Sequence, residues 1–303
     1  MLDKHITDFR NYLSYEKHFS PHTITAYTKD LLQLSAYVKQ QFEVDEIKLI
    51  NHQMIRSWLV ELMNEKTTAR SVARKLSTLK TFYKYLLKEG IVENNPLSKV
   101  QPPKIEKRLP VFVEEKPMQQ LLDGKKGIDG EWVTFGDDYK GQRNKLMIML
   151  FYSTGIRLSE LIGLKQHDVD FYKQTIKVLG KRNKERIIPI TKELAAEITS
   201  FIETKSREGM DTEYLLLTEK GLKLYPRLVY DTVKTYLSKV TSIEKRSPHV
   251  LRHTFATHLL NKGADLNAIK ELLGHANLAA TQVYTHNSIE RLKNIYKNKH
   301  PRA

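Results

Sequence analysis

The sequence contains no cysteine, which rules out disulfides and thiolate metal sites and fits a reducing compartment. No stretch approaches the roughly 18 apolar residues that a membrane-spanning helix needs. The opening Met1-Leu2-Asp3-Lys4 lacks a basic region followed by an apolar one, so no secretory signal is expected and the protein is expected in the cytoplasm, away from any membrane. Internal repeats and low-complexity tracts are missing too. There is no Gly-x-x-x-x-Gly-Lys-Ser/Thr loop for nucleotide phosphates and no acidic cluster for a pair of Mg²⁺ ions. These absences exclude secreted disulfide frameworks, P-loop nucleotide hydrolases and two-metal nucleases.

What the chain does contain is an excess of positive charge. Its 303 residues suffice for two domains with separate cores, and 40% hydrophobic with 28% charged residues is the balance of a globular protein. The formal net charge is +15 and the isoelectric point is near 9.6. Residues 1–105 hold 16 Lys+Arg against 11 Asp+Glu, and residues 106–303 hold 34 against 24, so both parts are basic. Two basic domains suit a polyanion gripped from both sides, nucleic acid first; a charge balance tuned only for solubility is the alternative.

The first hundred residues read as short amphipathic helices. Ser20-Pro21 supplies a cap and a first-turn proline, after which Ile24, Tyr27, Leu31, Leu34 and Val38 recur at helical spacing. Another helix is expected around Met54, Ile55, Trp58, Leu59 and Leu62. The clearest covers about 68–88, where Val72, Leu76, Leu79, Phe82, Tyr83 and Leu86 form one apolar stripe. Its opposite face carries Arg70, Arg74, Lys80, Lys84 and Lys88, with no acidic residue between Ala69 and Lys88. A merely solvated face mixes both signs, so these five are the expected phosphate contacts. Gly90 and Asn94-Asn95-Pro96 then end a first domain over 1–100. Residues 101–110, with Pro102-Pro103, Lys104, Lys107 and Arg108, read as a stiff basic linker, and a second domain is expected over 111–303.

Between Asp123 and Arg143 the chain is polar and glycine-rich without periodicity. It reads as a surface insertion holding no chemistry, with an apolar helix following from Leu146 to Tyr152. After Asp168 the period shortens to two. Thr175-Ile176-Lys177-Val178 and Arg186-Ile187-Ile188-Pro189-Ile190 read as paired strands joined by a turn through Lys181 to Lys184. Helical spacing returns at Leu194, Ile198, Phe201 and Ile202 and continues to the end.

Several residues carry candidate chemistry. Ser247-Pro248 starts a helix directly before His249, so His249 and Arg252 share a face near a helix N-terminus, where free N–H groups favour an anion. Taken alone, the pair suits an ordinary amphipathic helix better, a buried histidine and a surface arginine beside the core face of Leu251, Phe255 and Leu259. Arg157 follows Thr154-Gly155, and its planar fork suits an oxyanion. Glu160 either holds that guanidinium in place or makes a plain surface pair with it. Lys181 sits in a polar turn, His275 follows the helix-ending Leu273-Gly274, and Tyr284 lies nine residues beyond His275 on a short helix that Asn277 would cap. Each of these is ordinary by itself. His249, His253 and His258 fall within ten residues, but no His-Glu-x-x-His and no third ligand support zinc, so no metal is expected.

In order and interval, Arg157, Lys181, His249-x-x-Arg252, Leu273-Gly274-His275 and Tyr284 resemble the tyrosine recombinase (phage integrase) family. The closing Ile289-Glu290-Arg291-Leu292 and His300-Pro301-Arg302-Ala303 resemble the Xer recombinases within it. The resemblance covers nearly the whole chain. It implies a mainly α fold with a small antiparallel β-sheet: a helical N-terminal core-binding (SAM-like) domain and a mixed α/β catalytic domain. It implies Tyr284 as nucleophile, Arg157 and Arg252 on the non-bridging phosphate oxygens, Lys181 as acid for the leaving oxygen, His249 as base and His275 as hydrogen-bond donor. No cofactor is implied, since the phosphotyrosine link conserves the bond energy and cations of the protein replace a metal. The family often has glycine after the lysine; here Arg182 stands there.

The implied partners are double-stranded DNA with a specific recombination site and a homo- or hetero-tetramer that exchanges strands through a Holliday junction. Xer-type resolution of chromosome dimers adds a sister Xer recombinase and a DNA translocase. The C-terminal stretch, with Leu292, Ile295 and Tyr296, is expected either to dock on a neighbouring subunit or to pack on its own domain. An integrase of a mobile element, a type IB topoisomerase and a catalytically idle DNA-binding protein are the alternatives.

Overall fold

The computed structural model describes residues 2–105, 110–180, 185–210, 212–274 and 295–302. Two compact units divide the chain, Met1–Arg108 and Leu109–Ala303.

The first unit is built on α1 (Leu2–Asn11), α2 (Pro21–Phe42), α3 (His52–Asn64) and α4 (Ala69–Lys88), with α1, α3 and α4 all packed on α2. Local chemistry sets the starts. Ser20, Asn51 and Thr68 each accept a backbone N–H of the helix they precede, and Pro21 occupies the first turn of α2. The apolar stripes meet in one core around Leu34, Trp58, Leu76, Leu79 and Phe82, all at most 2% exposed. Truncating one of these leucines to alanine costs about 2–5 kcal/mol.

The second unit comprises α5 (Glu115–Leu122), α6 (Tyr139–Thr154), α7 (Leu158–Gly163), a small sheet, α8 (Lys192–Arg207), α9 (Pro226–Val240), α10 (Pro248–Asn261) and α11 (Leu266–Leu273). The sheet is antiparallel in the order β1 (Val169–Asp170), β2 (Thr175–Leu179), β3 (Glu185–Pro189). Ile176 pairs with Ile188 and Leu179 with Glu185, so β2 and β3 form the expected pair, while β1 was too short to register as a pattern. Helix α6 is the hub, packed by α8, α10 and α7. Thirteen of its residues are buried, on all sides, which is why it shows no one-sided periodicity.

One expectation for 123–146 needs correction. The helix starts at Tyr139, not Leu146: Asp138 Oδ1 accepts the Gly141 N–H at 2.8 Å as its cap. Arg143 is fully buried and donates to Asn144 Oδ1, Leu217 O and Glu219 Oε1, a polar residue held inside by satisfied donors. The preceding stretch runs over the surface as expected, mostly exposed, and is pinned there at a few points. Val133 is 1% exposed, Phe135 stacks on Tyr236 at 4.3 Å, and the Ile128 N–H donates to Lys239 O at the end of α9. Single anchors of this kind leave no periodic trace. Among the described residues, no helix is long and apolar enough to cross a membrane.

Candidate active site

Gly155 ends α6 with φ +58. A Cβ added there would lie 2.5 Å from Phe255 Cδ1 and 2.9 Å from Leu273 Cδ2, so both conformation and space require glycine. The chain turns sharply and delivers Arg157 at the cap of α7. The Arg157 N–H donates to Glu160 Oε2 at 2.8 Å, and its guanidinium donates through Nη1 to Glu160 Oε1 at 2.8 Å. The Glu160 side chain is 1% exposed, which excludes the plain surface pair. It also accepts both terminal nitrogens of Arg186, Nη2 at 2.8 Å to Oε2 and Nη1 to Oε1.

Helix α10 brings the second cation. Pro248 occupies its first turn as expected, but the Ser247 hydroxyl does not cap it and is buried without a hydrogen-bond partner among the described residues. That corrects the capping expectation: Pro248 has no N–H to satisfy, so proline alone suffices as a start signal. His249 is exposed on the first turn, with Arg252 one turn on. Arg252 donates through Nη1 to Gly155 O and through Nη2 to Leu273 O. Burial, with Arg157 and Arg186 nearby and Glu160 opposing them, pushes the Arg252 guanidinium down to about 9, which leaves it a cation at pH 7. Partial burial, then the charges of Arg252, Lys245 and His253, hold the His249 imidazole below its ordinary value. At pH 7 it is therefore neutral and ready to accept a proton.

Three guanidiniums converge on the last carbonyls of α11. Arg186 Nε donates to Leu272 O at 3.1 Å, Arg252 to Leu273 O, and Arg157 Nη2 to Gly274 O at 2.7 Å. Cations at a helix C-terminus are well placed against its dipole. Gly274 has φ +63, and a Cβ there would meet Arg186 Cδ at 2.9 Å. Arg157 and Arg252 are thus brought together at the residue before His275, with His249 on the adjoining turn. Lys181, His275 and Tyr284 lie outside the described residues, as do Arg182 and Asn277.

Arg186 is the residue that sequence reasoning passed over. It belongs to β3 and is 4% exposed. The signal was there: strand alternation sets Arg186, Ile188 and Ile190 on one face, and an arginine on an apolar face demands an acidic partner.

On α4, Arg70, Lys80 and Lys84 are exposed and make no ion pair among the described residues. Arg74 forks onto Asp30 of α2, with Nη2 2.8 Å from Oδ1, and Lys75 and Thr78 bind the same buried carboxylate. Lys88 lies 3.3 Å from Glu89 and 3.9 Å from Glu16. The face is thus partly balanced from neighbouring elements, which a scan of α4 alone misses. His258 is buried, and its Nδ1 shares a hydrogen bond of 3.0 Å with the Tyr152 hydroxyl. No three His, Asp or Glu among the described residues are grouped to hold a metal. Residues 295–302 pack on their own unit: Tyr296 joins the cluster of Phe255, Leu259 and Leu272, and Arg302 pairs with Asp123 at 2.6 Å and with Glu193.

Comparison with known proteins is consistent along the chain. The phage integrase family matches residues 114–291, and the phage integrase N-terminal SAM-like domain matches 6–90. Tyrosine recombinase XerC of Chlorobaculum parvum is 36% identical over 322 aligned residues, covering 97% of this chain and 94% of the relative. XerC of Staphylococcus aureus is 38% identical over 298 residues, covering 97% and 96%. In fold, the chain resembles the Tn1549 transposon integrase in complex with circular intermediate DNA, with a TM-score of 0.70 at 19% identity over 95% of this chain and 98% of that one. It also resembles the XerH site-specific recombinase bound to a palindromic difH substrate, with a TM-score of 0.69 at 23% identity over 97% and 82%.

Proposed function

The chain belongs to the phage integrase family and is a site-specific tyrosine recombinase, and from that premise we propose that Tyr284 is its nucleophile and Xer-type resolution of chromosome dimers its role. The observation that carries the catalytic reading is the convergence of Arg157 and Arg252, two guanidiniums from α7 and α10, beside an exposed neutral His249. That is a site for the two non-bridging oxygens of one phosphodiester.

In the proposed reaction the Tyr284 hydroxyl attacks phosphorus while His249 takes its proton. The bond from phosphorus to the 5′-oxygen breaks, and Lys181 protonates that oxygen as it leaves. Arg157 and Arg252 bear the charge that grows on the non-bridging oxygens, and His275 donates to one of them. The product is a 3′-phosphotyrosine and a free 5′-hydroxyl; attack by a 5′-hydroxyl of another strand reverses every step. One phosphoester is exchanged for another, so no nucleotide is consumed.

XerH was solved bound to a palindromic difH substrate, and duplex DNA carrying a recombination site is taken as the substrate here. Arg70, Lys80 and Lys84 of α4 are assigned to its phosphates, with Arg74 and Lys88 as partly neutralised neighbours. Identity of 36–38% to XerC relatives along nearly the full chain supports the chromosomal role over that of a mobile-element integrase. With that role go a cytoplasmic location, a tetramer on DNA, a sister Xer recombinase and a DNA translocase. The test is recombination between two copies of the candidate chromosomal site on a supercoiled plasmid, with and without the sister recombinase. Deletion between the sites supports the reading; relaxation of the plasmid without deletion, at any sequence, would replace it with a topoisomerase.

A further inference from the structure

Glu160 sits among three arginines, and their duties differ. Arg157 and Arg252 are 31% and partly exposed at the side chain, whereas Arg186 is 4% exposed and walled in by β3, α7 and the end of α11. Arg186 is nearly closed off from solvent, which leaves it no surface with which to grip DNA. Each of its three nitrogens donates inward: Nη1 and Nη2 to the two oxygens of Glu160, and Nε to Leu272 O at 3.1 Å. We propose that Arg186 is a positioning residue of the cleavage reaction, the counter-ion that shares Glu160 with Arg157, so that one Arg157 nitrogen rests on the carboxylate and the rest of its fork stays available to phosphate. This rests on the reading of Arg157 and Arg252 as phosphate ligands.

Charge makes the argument. With Arg186 in place the cluster holds three cations and one anion, so two positive charges face the phosphate. Without it, buried Glu160 has Arg157 as its one hydrogen-bonded cation among the described residues, and more of the fork that should grip phosphate is drawn onto the carboxylate. Burial works against the charged form of Glu160, yet hydrogen bonds and charge from Arg186 outweigh it and hold the carboxyl below its usual range, with Arg157 contributing less. Glu160 therefore stays an anion that must be matched.

Geometry adds a second duty. Through Nε, the same guanidinium holds Leu272 O, next to the Leu273 and Gly274 carbonyls held by Arg252 and Arg157. The Arg186 side chain also passes through the space a Cβ at Gly274 would need, with Cδ 2.9 Å and Nε 3.4 Å from it. Arg186 thus ties the arginine pair to the turn from which the chain continues to His275. A lysine offers one compact charge and cannot span the carboxylate and the carbonyl together.

The experiment measures single-turnover formation of a covalent adduct on a nicked duplex carrying the recombination site, with DNA affinity and melting temperature taken in parallel. Arg186→Gln should slow adduct formation on the order of 100-fold, while DNA affinity stays within about twofold. Arg186→Lys should recover part of the rate. The deciding variant is Glu160→Gln with Arg186→Gln, which removes both charges and leaves no lone buried ion to unfold the domain. It should cleave faster than Arg186→Gln alone, because no carboxylate competes for Arg157. A purely structural Arg186 slows cleavage only in step with a lowered melting temperature; that result, a double variant no faster than Arg186→Gln, or a wild-type rate in Arg186→Gln overturns the proposal. An adduct absent from the wild-type protein overturns the reading of the arginine pair, and this proposal with it.

Discussion

Replacing Gly155 with alanine puts a single methyl group where the structure leaves no room for it. The residue has φ +58, a conformation that costs an L-residue about 1–2 kcal/mol. The new carbon would lie 2.5 Å from the fully buried ring of Phe255 and 2.9 Å from Leu273 Cδ2, neither of which is a free side-chain tip. Overpacking of this kind adds about 1–3 kcal/mol. The sum is a few kcal/mol, which in a unit of this size lowers the melting temperature on the order of 10 °C. Function should fall further than stability. The Gly155 carbonyl holds Arg252, so a backbone shift there displaces one of the two phosphate ligands, and a misplacement near 1 Å costs on the order of 100-fold in rate. Calorimetry gives the first quantity, and adduct formation on a nicked duplex, well below the melting temperature, gives the second. Gly163→Ala is the control, since a Cβ there meets nothing within 4 Å. A Gly155→Ala protein that melts and cleaves like wild type would refute the reasoning.

Other perturbations give equally definite expectations. Asp30→Ala removes the acceptor for Arg74, Lys75 and Thr78 and should destabilise the first unit by about 2–3 kcal/mol, read by denaturant unfolding of that unit's transition. Alanine at Arg70, Lys80 or Lys84 should each lower the slope of log affinity against log salt by about 0.9 without changing sequence preference. Burial pushes the His300 imidazole down to about 4, with Tyr152 O its partner and His258, Lys262 and Arg302 opposing its charge. The unfolded imidazole binds a proton near pH 6.5 and the folded one only near 4, so stability is full above 6.5 and declines as pH falls between them, by about 3 kcal/mol in the limit. The melting difference between pH 7 and pH 4.5 should therefore shrink in His300→Gln. Lys181→Ala should cleave slowly, and a substrate whose bridging 5′-oxygen is replaced by sulfur, which leaves without a proton, should restore the rate.

What could be read in advance depended on how locally each feature is determined. Ser20-Pro21 marked a helix start because a cap is a matter of two or three neighbours; Asn51 and Thr68 cap α3 and α4 by the same local chemistry, a signal that sequence reasoning did not use. The stripe of α4 and the β2–β3 pair were legible because one face of each is buried and the period survives. Helix α6 lost its polar first turn because burial on every side erases the period, and Arg143 looked like a loop residue for want of its distant partners Leu217 and Glu219. Of the site, the order Arg157, His249 and Arg252 was visible, and the contacts that organise it were not. Arg186 meets Glu160 across 26 residues and α11 across 86, distances along the chain that no local pattern encodes. The same limit hid Asp30, which tempers the basic face of α4 from another helix.

The central claim is that Tyr284 becomes joined to DNA within a pocket organised by Arg157 and Arg252. The most direct measurement is to trap the protein on a nicked duplex carrying the candidate site, in the presence of EDTA, digest the adduct and identify the nucleotide-bearing peptide by mass spectrometry. The account expects one modified peptide, linked through Tyr284 to a 3′-phosphate, formed without metal and absent from Tyr284→Phe. An adduct on a different residue, or one that persists in Tyr284→Phe, would contradict it.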